Sequence, residues 1–114
     1  MMNAPILDLL ARIEDEVSFD MFQGRFAYWR GFSGKRYIHT VYQTDALDDL
    51  SGGVAILVDE TGEVLHVLLI EEGAAAFAHR EGAASAHVHF PKNRSGLAVR
   101  NDLRNALVNR IAAL

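Results

Sequence analysis

Apolar residues recur at three- and four-residue spacing at the start of the chain: Ile6, Leu10, Ile13, Val17 and Met21, with Asp8, Glu14, Asp15 and Glu16 on the other faces. That period predicts a helix over about 4–20, with Asn3 as its cap and Pro5 in its first turn. Further on the pattern changes. Residues 24–32 and 35–43 are rich in aromatic and β-branched side chains and flank Gly31-Phe32-Ser33-Gly34, which predicts a hairpin. Residues 44–53 are polar and read as a connection. Residues 54–58 and 63–70 enclose Asp59-Glu60-Thr61-Gly62, a second hairpin. Its strands are apolar nearly throughout, the pattern of central strands covered on both faces. An Ala-rich stretch from Glu72 to Glu81 predicts a short helix ended by Gly82. Ser85 to Phe90 reads as a strand stopped by Pro91. Ser95 to Leu114 reads as a helix with Leu97, Leu103, Leu107, Ile111 and Leu114 on one stripe, and Arg100 and Arg104 outside it. The order α-ββ-ββ-α-β-α implies an α+β layer sandwich, a mostly antiparallel sheet of about five strands with helices packed on it. No linker, repeat or low-complexity stretch breaks it, so residues 1–114 form a single domain.

Composition narrows the function classes. Half of the residues are hydrophobic and 23% are charged, which is globular composition with enough area for one core. The absence of cysteine removes a disulfide framework, a thiolate zinc site and a catalytic thiol. No apolar run reaches the roughly 18 residues of a membrane helix. Met1 to Arg12 lacks the basic start and small-residue cleavage site of a signal peptide, so the expected setting is cytoplasmic, with no membrane partner. Charge is distributed unevenly. Residues 1–24 and 45–81 are acidic, at −4 and −8, whereas residues 25–44 and 82–114 each carry +4. Arg25, Arg30, Lys35 and Arg36 in the second segment, with Lys92, Arg94, Arg100, Arg104 and Arg110 in the fourth, make a local basic face if the two segments meet in space.

Two constellations carry candidate chemistry. His87 and His89 stand two apart in a short strand, so both rings leave one face while Val88 and Phe90 take the other. Paired strand imidazoles can share a metal, but a site needs a third ligand, for which His79, His66, His39, Glu72 and Glu81 are candidates at no diagnostic spacing. The three alternating histidines of a nucleotide-hydrolase strand are excluded, because the third position is Pro91. The second constellation is the first hairpin. Arg25, Trp29, Arg30 and Arg36 interleave cations with flat rings, as nucleic-acid-binding sheets do. No phosphate-binding glycine loop or nucleophile elbow is present.

From Tyr42 to Leu103 the chain resembles a degenerate member of the GIY-YIG nuclease superfamily. The resemblance rests on VYQTDALDDLSGGVAILV, GEVLHVLLIEEG, GAASAHVHF and the VRNDL that opens the last helix. It implies two adjacent strands that each offer a tyrosine, a helix with an arginine, and a later helix with a metal-binding glutamate. The family's chemistry then follows, with metal and arginine neutralising phosphate charge and a tyrosine orienting or deprotonating water. At the matching positions this sequence has Gly53-Val54-Ala55, then Leu68-Leu69-Ile70-Glu71, and Arg100 in place of the glutamate. Arg80 stands close to Gly82, too near the helix end to replace the arginine. The resemblance therefore implies a scaffold without the nuclease chemistry.

Three readings follow. The first is a non-catalytic binding or assembly module that needs no cofactor. The second is an enzyme handling metal or phosphate through His87 and His89. The third is a nucleic-acid binder using Arg25, Trp29, Arg30 and Arg36 together with Arg100 and Arg104. Broad apolar surface on the terminal helices, at Ile6, Leu7, Leu9, Leu10 and Ile13 and at residues 111–114, further predicts a homodimer.

Overall fold

A computed structural model describes residues 16–19 and 24–113, with side chains from Phe26 to Leu107. Among the described residues six strands form one antiparallel sheet. In chain order they are β1 (Glu16–Phe19), β2 (Gly24–Arg30), β3 (Arg36–Tyr42), β4 (Val54–Val58), β5 (Val64–Leu69) and β6 (Ser85–His89). Helix α1 (Ala74–Glu81) precedes β6, and α2 (Gly96–Ala113) follows it. Across the sheet the order is β1-β2-β3-β6-β4-β5. The chain makes its two hairpins, leaves a slot between β3 and β4, and fills that slot with β6, which pairs antiparallel to both. The expected α+β sandwich stands.

Its start does not match the expected helix. Glu16 to Phe19 pair with residues 24–27 of β2, so the last part of the helix predicted over about 4–20 is a sixth strand; residues 4–15 lie outside the described residues. Four residues with apolar positions at 17 and 19 satisfy a two-residue period as well as a helical one, and the open edge of β2 decides between them.

Strand β4 divides the core. Val54, Ile56 and Val58 point to one layer, with Ala27, Trp29, Val67, Val99 and Leu103. Ala55 and Leu57 point to the other, with Leu47, Leu68, Ala74, Ala78, Ala86 and Val88. All five β4 residues are buried, so the continuous apolar run does mark a strand covered on both faces. Strand β5 carries the same signal yet lies at the sheet edge. There Arg104 donates Nε to the Val67 carbonyl at 2.7 Å, and Glu72 accepts the Leu69 N–H at 2.7 Å. Arg100 and Arg104 also pair with Glu72. These side chains occupy backbone groups that another strand would otherwise seek. Helix α2 presents Val99, Leu103, Ala106 and Leu107 to the sheet, whereas Leu97, expected on that stripe, is half exposed. Ser95 caps this helix by accepting the Ala98 N–H at 3.0 Å. Gly82 ends α1 at φ 71°, as the sequence predicts. Among the described residues no helix is long and apolar enough to cross a membrane.

Candidate functional site

Strands β3 and β6 part company at one end. Their register runs from Tyr42–Ala86 to Thr40–Val88, while β6 stays paired with β4 out to His89–Val54. Pro91, which has no N–H to donate, follows two residues later. Beyond the last pair the His89 side chain bridges the gap, with Nδ1 2.7 Å from the Ile38 carbonyl. A carbonyl only accepts, so Nδ1 is the donor in this bond. The fork opens into a cleft of about 470 Å³ lined by Lys35 to Ile38, His89 to Arg94 and Val99.

Four cations line it, Lys35, Arg36, Lys92 and Arg94, with no carboxylate. The second and fourth charge segments therefore do meet, but only through these members. Arg36 also lies over the Tyr28 ring at 4.6 Å. Arg94 is held from behind: it donates to the Tyr37 hydroxyl at 2.5 Å and lies 3.8 Å from Asp102. Asp102 is the buried anchor of this corner. It accepts from the Tyr37 hydroxyl at 2.6 Å, the Ser33 hydroxyl at 2.6 Å and the Ser33 N–H at 2.8 Å, tying the β2–β3 turn to α2. Burial works to raise its carboxyl, but the bonds from Ser33 and Tyr37, with Arg94 nearby, outweigh this and hold it below the usual carboxylate range. Burial, with Asp102 beside it, pushes the Tyr37 hydroxyl up to about 12, so it remains a donor and is no base at neutral pH. Gly31 leaves the necessary room, since a Cβ there would stand 2.4 Å from Asp102 Oδ2.

Two histidines behind the cleft, His87 and His39, are held differently. His87 Nδ1 accepts from Trp29 Nε1 at 3.0 Å, which places the His87 proton on Nε2. His39 is fully buried, and its Nδ1–H donates to the Tyr37 carbonyl at 2.9 Å; its Nε2 is buried without a hydrogen-bond partner. Burial lowers the His39 pKa to about 3, so the ring stays neutral. His39 and His89 lie 5.5 Å apart between centroids.

His87 and His89 do share a face, as the spacing predicts, but only His89 lines the cleft. Among the described residues no three His, Cys, Asp or Glu side chains gather where they could hold a metal ion. Of the predicted third ligands, His66 stacks on Phe77 at 4.8 Å and His79 is exposed on α1. Trp29, expected to stack on a base, is fully buried against His87, because its alternate position on β2 turns it toward α2. Phe90 is a partly exposed ring in the cleft lining, and Phe32 is exposed in the β2–β3 turn. Arg30 lies in β2 with its Nη1 donating to Gly34, and outside the cleft lining. Arg100 and Arg104 do not join Arg36; they are drawn to Glu72 at the β5 edge. The Arg25 side chain lies outside the described residues. Sequence reasoning passed over Lys35, Tyr37, Lys92, Arg94 and Asp102 as individual site residues, and the paired basic segments were the signal that pointed to them.

Ala55, Leu69, Arg80 and Arg100, the positions matched to the nuclease motifs, are all absent from the cleft lining. Ala55 is buried under the α1 layer, and Arg80 pairs with Glu81 on the surface of α1. No known protein family, curated protein or solved structure matches this chain.

Proposed function

We propose that the protein is a non-catalytic binding module, built on a GIY-YIG-like unit, whose cleft at the β3–β6 fork holds a phosphate- or carboxylate-bearing ligand. The scaffold reading rests on the motif resemblance and on the succession hairpin, helix, strand, helix over β4 to α2. The ligand reading rests on one observation: four cations and no carboxylate line a cleft of about 470 Å³. That volume is typical of small-molecule sites. Arg94 is pre-oriented by Tyr37 and Asp102, so little side-chain freedom is lost when an anion binds it. The enzyme reading loses support because His87 is committed to Trp29 and Tyr37 is held protonated.

Calorimetry with inorganic tripolyphosphate tests this. Binding should weaken as salt rises and should fall at least tenfold in Lys92→Ala and in Arg94→Gln. Lys92 is exposed, so its variant keeps the test sound if Arg94→Gln disturbs the fold. No binding at millimolar tripolyphosphate, or binding indifferent to Lys92, overturns the reading. We include in the proposal assembly as a homodimer, motivated by the 50% hydrophobic content and by Leu97 and Phe32, which stay at least half exposed. Light scattering should give about twice the 12.6 kDa chain mass, and a single-chain mass at high concentration removes that part.

A further inference from the structure

The cleft has two chemically different walls. Lys35, Lys92 and Arg94 supply positive charge, whereas Ile38 and Phe90, 45% and 39% exposed, form an apolar strip continued by Pro91. Large apolar side chains left open beside a ring of cations gain nothing for folding. An inorganic anion would satisfy the cations and leave this strip wet. A ligand with a polyanionic tail and a flat apolar head covers both kinds of surface, and Asn93 and the His89 ring add polar groups to the same lining.

Size and charge layout argue against a polymer. The cations line one cleft, and the next basic residues along α2, Arg100 and Arg104, are turned to Glu72 and the Val67 carbonyl. Among the described residues no track of positive charge continues along that helix for a strand of phosphates to follow. We infer that the cleft binds a nucleoside di- or triphosphate, its base resting on Phe90 and Ile38 and its phosphates among Lys35, Lys92 and Arg94. This inference rests on the anion-binding reading above. A face of one base on an aromatic ring is enough for about a tenfold gain over the bare phosphate chain.

The test compares ATP, CTP, tripolyphosphate and thymidine oligonucleotides of increasing length by calorimetry in magnesium-free buffer. A nucleoside triphosphate should bind about tenfold tighter than tripolyphosphate. Phe90→Ala, and independently Ile38→Ser, should bring the nucleotide down to the affinity that tripolyphosphate has for the same variant, while Lys92→Ala weakens both ligands. Equal affinity for nucleotide and tripolyphosphate, or an advantage indifferent to both apolar substitutions, overturns the inference and leaves the anion site standing. Affinity that climbs with oligonucleotide length past that of the mononucleotides overturns it in favour of a nucleic-acid strand. Failure of every phosphate ligand removes both proposals together.

Discussion

His39 ties stability to pH in a window where carboxylates are silent. In the folded chain its ring is fully buried on β3 beside His87 and His89, and burial lowers its pKa to about 3 from the ordinary 6.5. In the unfolded chain the ring meets water and takes a proton near the ordinary value. Between those pH values the unfolded state binds a proton that the folded state refuses. Stability is therefore highest above pH 6.5 and is lost as the pH falls through the window. From pH 7 to pH 5 the loss integrates to about 2 kcal/mol, with a slope approaching 1.4 kcal/mol per unit. Carboxyl groups, which titrate near pH 4 when unfolded, add little above pH 5. His39→Phe removes the titrating ring. It loses one hydrogen bond to the Tyr37 carbonyl but also deletes the unpartnered Nε2, so the change at pH 7 should stay within about 1.5 kcal/mol. Burial and Arg104 lower His66 as well, and that contribution is common to both proteins and cancels. Urea denaturation of both proteins at pH 7 and pH 5 gives the result. The stability difference should move by about 2 kcal/mol in favour of the variant at pH 5. Parallel losses in the two proteins would refute the reasoning, since the folded ring would then be taking up its proton.

Other expectations are more local. Asp102→Ala should cost about 3–5 kcal/mol in urea denaturation, because it strands the Tyr37 hydroxyl and leaves Arg94 without its counter-charge; a loss under about 1 kcal/mol would show that the hairpin turn is held otherwise. Gly53→Ala should cost about 1–3 kcal/mol, since the added Cβ would lie 2.6 Å from Val88 Cγ1 inside the sheet, and a neutral result would mean that β6 shifts freely. Trp29 is the sole tryptophan and is fully buried, so its emission should resist iodide quenching until the chain unfolds; quenching of the native protein would place the ring at the surface.

Local sequence chemistry carries much of this fold. The aromatic and β-branched residues of 24–43, the turn residues between strands, the Gly82 stop and the uninterrupted apolar run of β4 are decided by backbone sterics and by burial on two faces. They could be read without a structure. The strand at Glu16 could not, because four residues fit either period and only the unfilled edge of β2 selects extension. The same limit applies to the site. The pairing of His87 with His89 on one face follows from strand geometry, and the charge segments showed which stretches could build a basic surface. Register then determined which members met. It put Trp29 inward against His87, sent Arg100 and Arg104 to Glu72, and opened β3 from β6 so that Lys35 and Arg36 face Lys92 and Arg94. Those contacts join residues 28 to 58 positions apart, and no local propensity encodes them. They arise because β6, made late in the chain, is inserted between strands made early, so that packing across the sheet decides the cleft.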